Sequence, residues 1–210
     1  MPQLTLHRFP LSGHSHRVEA FLQILGLPYT TVDVDLPAGA HKRPEYLALN
    51  AFGQVPVLQD GELTFADSNA ILVYLAARYG GPQWHVTDPV QAARVQRWLS
   101  VAAGELANGV AAARVVNLFR RTVDTSPLVE KAHRLLGLME QQLATQPWLA
   151  GPAPSIADLA NYAYTARAPE GDVSLADYPQ VQAWLARVEA LPGFLPMPSL
   201  PIGLNAARAA

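Results

Sequence analysis

The segment VPVLQDGELTFADSNAI, residues 55–71, decides how the first part of the chain folds. Residues 55–59 are mostly apolar, which is typical of a buried strand, and residues 62–65 can pair back with them. The Asp-Gly dipeptide between them is a strong signal for a tight hairpin turn. Residues 68–77 then place isoleucine and leucine side chains on one stripe of a helix. The segment therefore predicts a β-hairpin followed by a helix.

The residues before this segment alternate strand and helix patterns. Leu4 and Leu6 alternate with polar neighbours, and residues 29–34 are rich in β-branched side chains, so each stretch predicts a strand. Between them, a turn-forming segment with two serines precedes a helical apolar stripe, which Gly26 ends. Residues 44–49 predict a short helix with a proline in its first turn. The order β-α-β-α-β-β-α predicts an α/β domain with a short mixed sheet covered by helices.

The second half of the chain has helical patterns throughout. Glycine and proline around residues 81–88 predict a linker, so we expect one domain over residues 1–80 and an all-helical domain over residues 89–210. Ser155 and Asp158 have the spacing of a capping box, which predicts a helix start. The other helices are predicted from Pro89, from Ser126-Pro127 and over residues 179–191.

The composition excludes several classes of protein. The 210 residues are half apolar and carry a net charge of −2, which gives no electrostatic basis for binding nucleic acid or an anionic membrane. The absence of cysteine excludes disulfides, thiolate metal sites and catalysis by a protein thiol. No pair of the six histidines has the i, i+4 spacing of a helical zinc site, so no metal is expected. Without a signal-peptide core or an apolar run of about 18 residues, a cytoplasmic location is expected.

Four local motifs together resemble the cytosolic glutathione transferase family, in its order and approximate spacing. They are FPLSGHSHRV (residues 9–18), NAFGQVPVL (residues 50–58), ADSNAI (residues 66–71) and the capping box SIADL (residues 155–159). The resemblance covers nearly the whole chain and is to bacterial, theta-like members of the serine type. It implies a thioredoxin-like glutathione-binding domain, an all-helical domain for the second substrate, glutathione as co-substrate without a permanent cofactor, and a homodimer.

The resemblance assigns the main glutathione contacts to two segments. The Val55-Pro56 bond is cis in the family, which turns the backbone of Val55 toward the ligand, whereas the residues alone favour a proline on an edge strand. Asp67 and Ser68 stand at a helix start, where free N–H groups and the helix dipole favour an anion. In the family, Ser68 donates to the γ-glutamyl carboxylate and the acidic neighbour helps to hold the ammonium. The residues alone indicate an N-cap.

His41 and Gln54 are two further candidates for glutathione contacts. Some related enzymes carry lysine at the position of Gln54, where its charge attracts the glycyl carboxylate. Glutamine keeps the hydrogen bond and loses the charge. His41 precedes Gln54 by thirteen residues, a separation similar to that in theta-like members, and a solvated loop histidine is the alternative.

Ser12 is the candidate catalytic residue. In serine-type members the matching hydroxyl donates a hydrogen bond to the glutathione sulfur, which stabilises the thiolate nucleophile. Such a bond to a charged group contributes roughly 1.5–3 kcal/mol, enough to lower the thiol pKa by about one to two units. A serine just before a helix is also a common N-cap, but we expect Ser15 to be the cap, and Ser15 is also the second choice for the donor.

The pocket for the second substrate is expected between Ser12 and the first long helix of the helical domain. Its candidate residues are Leu11, Asn108, Ala112 and Val115. The alternative is that the helical residues among them belong to the core. The tail from Pro192 onward carries four prolines and should be extended rather than helical, and residues 194–197 are a candidate lid.

The leading functional hypothesis is an enzyme that adds the glutathione thiolate to a small apolar electrophile. Glutathione-dependent peroxide reduction needs the same thiolate and is the nearest alternative. A non-catalytic interaction protein on the same fold is the alternative from a different class. The retention of Ser12, Pro56 and Ser68 together argues against it, because a scaffold need not keep ligand chemistry.

Overall fold

The computed structural model describes residues 3–208. The chain divides into two compact units. One comprises the chain up to His85 together with Leu191–Leu195, and the other comprises Val86–Ala190 and the chain from Pro196 onward. The segment Leu191–Leu195 lies within the range predicted as the helical domain, and it groups with the N-terminal unit instead.

The first unit is built on a four-stranded mixed sheet of order β2-β1-β3-β4. β1 (Leu4–Arg8) pairs in parallel with β2 (Tyr29–Asp33) and antiparallel with β3 (Val57–Asp60), which pairs antiparallel with β4 (Leu63–Ala66). Gly61 forms the β3–β4 turn with a φ of 57°, the left-handed conformation that tight hairpins require. The predicted order of strands and helices and the predicted hairpin are confirmed.

Helices cover both faces of this sheet. α1 (Gly13–Ile24) and α3 (Ser68–Tyr79) pack against each other through buried apolar stripes. On β3, Val57 and the next residue point to opposite faces, and both are fully buried. Val57 belongs to a cluster with Tyr46 of α2 (Pro44–Leu47), so this face is covered by the α2 side of the chain.

A single helical turn, α4 (Gly81–Trp84), lies in the predicted linker. The sequence prediction missed it because glycine and proline there were interpreted as helix breakers. Proline is tolerated in the first turn of a helix, where its missing N–H is not needed. Trp84 anchors the turn, since its ring contacts that of Phe21 with centroids 5.0 Å apart and is buried.

The second unit is helical, as predicted. Its main helices are α5 (Pro89–Val101), a π-helical segment (Ala102–Ala111), α6 (Ala112–Leu118), α7 (Ser126–Leu143), α8 (Ile156–Ala166) and α9 (Pro179–Glu189). The predicted capping box forms at the start of α8: the buried Asp158 carboxylate accepts from the Ser155 N–H at 2.9 Å. The same carboxylate accepts from the Trp184 indole at 2.9 Å and so joins α8 to α9.

α5, the π-helical segment and α6 form one continuous helix of 30 residues, Pro89–Leu118. Its length and mean hydropathy would suit a membrane span, but half of its apolar window is buried inside the protein, as in a core helix. Its buried apolar stripe comprises Val95, Trp98, Leu99, Ala102 and Leu106. The sequence does not predict the π-helical segment, with its i→i+5 hydrogen bonds, because its apolar residues also fit the α-helical period.

The C-terminal tail is only partly extended. Residues 194–200 have no regular secondary structure, as expected from their prolines, but Gly203–Arg208 forms a 3₁₀ helix. The expectation of an extended tail is wrong there, since the last proline is Pro201 and nothing after it opposes helix. The Leu200 N–H donates to Glu170 at 2.9 Å, and Glu170 forms a buried ion pair with Arg114.

Candidate active site

The register of the sheet brings the candidate segments to one edge. β1 and β3 are antiparallel with His7 opposite Val57, and β3 and β4 are antiparallel with Val57 opposite Ala66. The end of β1, the start of β3 and the end of β4 therefore meet. The serine-rich turn follows β1, the Val55-Pro56 segment precedes β3, and the helix start at Asp67 follows β4.

Ser12 is the N-cap of α1. Its hydroxyl oxygen accepts from the Ser15 backbone N–H at 3.3 Å, and its backbone is extended, as a cap requires. Ser15 is fully buried and its hydroxyl accepts from the Phe9 N–H at 3.2 Å. The expectation that Ser15 is the cap is wrong, because Ser15 already lies inside the first turn. Ser12 remains half-buried, and its proton is not used by the capping bond.

The start of α3 is capped by Asp67 rather than by Ser68. The Asp67 carboxylate accepts from the N–H groups of Asn69 at 2.8 Å and Ala70 at 2.9 Å. Its backbone has φ 70° and ψ 123°, a conformation that costs a non-glycine residue about 1–3 kcal/mol and is concentrated at functional sites. Ser68 is the first residue of the helix, so its buried hydroxyl is not needed as a cap.

A buried arginine connects α1 to α3. Arg17 donates through Nη1 to the Ser68 hydroxyl at 3.2 Å and to the Asn69 carboxamide oxygen at 2.9 Å. Nδ1 of His14 lies 3.4 Å from the same Ser68 oxygen. Because Ser68 accepts from Arg17, its own proton can be donated elsewhere. A guanidinium charge, a helix N-terminus and a hydroxyl donor thus coincide, and together they favour an anion.

His14 is neutral in the folded protein at pH 7. Burial, followed by the positive charge of Arg17, lowers the pKa of His14 from 6.5 to about 3. The unfolded chain takes up this proton below about pH 6.5 and the folded chain does not, so folded-state stability falls as the pH falls from about 6.5 toward 3. His14 therefore adds no positive charge at the α3 start over the neutral range.

We expect His14 to reduce the free energy of unfolding by about 1–2 kcal/mol between pH 7 and pH 5. Urea unfolding at these two pH values measures it, with His14→Gln as the control that cannot be protonated. The wild-type protein should lose more stability than the variant over this interval. Equal losses in both proteins would contradict the assignment.

His41 and Gln54 come together through a close backbone contact. A Cβ on Gly53 would lie 2.7 Å from the His41 carbonyl, so only glycine allows the His41 turn to approach this loop. Lys42 donates from Nζ to the carbonyl oxygens of Phe52 and Gly53, both at 3.2 Å. A positive charge therefore lies next to Gln54, whose own side chain is exposed.

Side chains from α2 and the residues after it also hold the loop at Gln54. The Gln54 carbonyl accepts from the Tyr46 hydroxyl at 2.9 Å and from the Asn50 side chain at 2.8 Å. The Val55-Pro56 peptide bond is cis, as expected from the resemblance. Nδ1 of His41 is buried without a hydrogen-bond partner within residues 3–208. This nitrogen is a polar atom to which a ligand could bind.

The four candidates for the second-substrate pocket divide between the two units. Leu11 is half-buried in the first unit, next to Ser12. In the second unit Asn108 is exposed, while Ala112 and Val115 are half-buried. These three residues are therefore more exposed than the fully buried stripe of the same helix. The alternative, that they belong to the core, would require them to be buried like that stripe. Their role in binding a substrate stays a prediction.

Arg17, His14 and Lys42 were not predicted as site residues. A signal for Arg17 was present: it lies four residues before Phe21, so a charged side chain falls on the apolar stripe of α1. A cation at such a position must find buried polar partners. Within residues 3–208, no group of three or more histidines and carboxylates could hold a metal ion.

Comparison with known proteins agrees with this arrangement. The family model for the glutathione S-transferase N-terminal domain matches residues 2–77, and that for the C-terminal domain matches residues 124–192. Glutathione S-transferase 3 of Zea mays is 33% identical, with 96% of this chain and 98% of the relative covered. The chain belongs to the glutathione S-transferase family, and it is a glutathione transferase enzyme.

Solved structures show the same architecture. A glutathione S-transferase from Pseudomonas fluorescens superposes with a TM-score of 0.87 at 33% identity, over 92% of this chain and 98% of the other. A glutathione transferase homologue from Drosophila mojavensis, solved with bound glutathione, has a TM-score of 0.81 at 29% identity, over 91% and 90%. The thioredoxin-like domain followed by a helical domain is thereby confirmed.

Proposed function

We propose that Ser12 activates glutathione by donating its hydroxyl proton to the sulfur, and that the thiolate attacks a small apolar electrophile. The observation that carries this proposal is the double use of the Ser12 oxygen. It accepts from the Ser15 N–H, which fixes its position, and its own proton is not used in that bond. The N-terminus of α1 adds a favourable dipole for a negative charge.

The reaction follows from a stabilised thiolate. The sulfur electron pair forms a bond to the electrophilic carbon, and the leaving group departs with its bonding pair while the thiol proton has gone to solvent. Lowering the thiol pKa raises the fraction of nucleophile present at neutral pH. Peroxide reduction would use the same thiolate, converting two glutathione molecules and one peroxide into the disulfide, an alcohol and water.

Glutathione would be held at both ends. We assign its γ-glutamyl carboxylate to Ser68 and the start of α3, with Arg17 supplying charge, and its ammonium to Asp67. The glycyl carboxylate would meet His41 and Gln54, beside the Lys42 ammonium. The Val55 backbone before Pro56 would pair with the peptide. The homologue from Drosophila mojavensis with bound glutathione supports a site for this ligand in the shared fold.

The electrophile would be small and apolar, bound near Leu11 with Asn108, Ala112 and Val115 of the second unit contributing. A role in detoxification in the cytoplasm is part of the same proposal. Retention on immobilised glutathione, followed by assays with an aryl halide and with an organic peroxide, tests it. Turnover of the aryl halide supports transfer, and turnover of the peroxide alone favours the alternative. Retention without either activity would contradict the proposed catalysis.

We propose that the enzyme is a homodimer whose interface includes α3 and α5. Large apolar side chains on these helices are exposed, with Val73 47% and Val90 58% accessible. Phe52, in the loop before the cis proline, is 80% exposed. An exposed phenylalanine is typical of the anchors that fill a pocket in a partner.

The wild-type protein should sediment at twice its chain mass of 22.7 kDa at micromolar concentration. Phe52→Ser should raise the dissociation constant of the dimer by about tenfold or more, since an apolar anchor is lost. Leu138→Ser is the matched control, because Leu138 is 61% exposed on α7, outside the proposed interface. A monomeric wild-type protein, or equal effects of both variants, would refute the proposed interface.

A further inference from the structure

The segment Leu191–Leu195, called the strap below, packs along α1 within the first unit. Gly193, in the middle of the strap, has a φ of 76°, and a Cβ there would lie 2.9 Å from the Gln23 carbonyl. At the C-terminal end of the strap, Nε2 of His16 lies 2.7 Å from the Leu195 carbonyl oxygen. Between these points, the Phe194 ring meets the His16 ring edge-on, with centroids 6.0 Å apart.

The strap runs toward the end of α1 that carries the candidate catalytic residue. Gln23 lies in the last turn of α1 and His16 in its first, so the chain passes from the C-terminal to the N-terminal end of the helix. His16 is one helical turn beyond Ser12, and its N–H donates to the Ser12 carbonyl at 2.9 Å. Residues four apart lie on one helix face. The strap therefore ends on the face that carries Ser12.

The contact between His16 and Leu195 has a defined polarity. A carbonyl oxygen only accepts hydrogen bonds, so Nε2 of His16 must carry the proton that it donates. His16 is buried, whereas Leu195 is 40% exposed. The bond thus holds an apolar side chain at the surface, close to the N-terminal turn of α1.

We propose that His16 is a positioning residue that fastens the strap to α1, so that Phe194 and Leu195 form an apolar wall beside Ser12 for the electrophile. The proposal rests on the proposed transferase function. It predicts that loss of the His16 bond affects the electrophile rather than glutathione, because His16 is not among the residues assigned to glutathione. It also predicts that only a side chain with a donor at the Nε2 position can replace His16.

Hydrogen exchange and steady-state kinetics of three variants test this role. His16→Leu removes the donor, and His16→Gln keeps an N–H near the Nε2 position. The shorter side chain of His16→Asn also carries an N–H, but holds it too close to the α1 backbone to reach the Leu195 carbonyl. In His16→Leu and His16→Asn, exchange of the strap amides and the KM for an apolar aryl halide should rise about three- to tenfold, as expected for one lost hydrogen bond. The KM for glutathione should not change. His16→Gln should restore both quantities.

Gly193→Ala tests the strap at its middle residue without altering His16. The added Cβ would meet the Gln23 carbonyl, so the strap should detach and the KM for the aryl halide should rise as in His16→Leu. If the strap amides exchange fast but the KM for the aryl halide is unchanged, the strap does not form a wall for the electrophile. If exchange of the strap amides is unchanged in His16→Leu, His16 does not fasten the strap to α1. Absence of transferase activity in the wild-type protein would instead reject the proposed function, since the exchange measurement does not depend on activity.

Discussion

Replacing Ser12 with alanine should lower transferase turnover at neutral pH about tenfold or more, while leaving glutathione affinity nearly intact. The hydroxyl is the proposed donor to the sulfur, and a hydrogen bond to a charged group contributes roughly 1.5–3 kcal/mol. Its loss should raise the pKa of the bound thiol by about one to two units. Raising the pH should then restore part of the rate. Ultraviolet titration of the thiolate in the glutathione complex measures the shift directly.

The structure requires a control for this experiment, because Ser12 also caps α1. Alanine removes both the donor and the cap, at a cost of about 1 kcal/mol in stability, whereas glycine at an N-cap costs only a few tenths. Ser12→Gly should therefore shift the thiol pKa as much as Ser12→Ala does, with a smaller loss of stability. Normal turnover in Ser12→Gly would show that the cap alone matters. A shifted titration in Ser15→Ala, with none in Ser12→Ala, would transfer the donor role to Ser15.

Replacing Ser68 with alanine should weaken glutathione binding by about 10- to 100-fold. The substitution removes a donor to a carboxylate, which contributes roughly 1.5–3 kcal/mol. Asp67 retains the helix cap, so the stability of α3 should change little. Titration calorimetry measures the affinity, and Ser68→Thr, which keeps the hydroxyl, should bind more tightly than Ser68→Ala.

Asn69→Ala is the matched control for Ser68→Ala. Arg17 donates to both side chains, so either substitution removes one acceptor from the guanidinium. Only Ser68 is proposed to contact the ligand. If Asn69→Ala weakens binding as much as Ser68→Ala, the effect acts through the position of Arg17. Unchanged affinity and stability in Ser68→Ala would remove Ser68 from the site.

The elements of the fold could be predicted from the sequence because each has a local signal. The hairpin at Gly61 and the capping box at Ser155 depend on residue types at fixed spacing, and both form. The identity of the caps could not be predicted in the same way. Asp67 and Ser68 are adjacent and both are good N-caps, and only the backbone angles decide which residue begins the helix.

The remaining errors have a different origin. Arg17 was passed over because a charged residue on an apolar stripe contradicts the pattern by which helices are recognised, and its partners lie more than 50 residues away on α3. Likewise, the attachment of the strap to α1 depends on His16 meeting a backbone carbonyl 179 positions later. No local pattern contains such contacts, so tertiary structure alone reveals them.

The π-helical segment Ala102–Ala111 also bears on how this enzyme can change during evolution. A turn with i→i+5 bonds holds one residue more than an α-helical turn. Deleting one residue there would convert that turn to an α-helical turn and leave the later side chains on their present face. Ala112 and Val115 would then stay on that face. The helix can thus absorb the loss of a single codon within this segment without changing the set of side chains that it presents there.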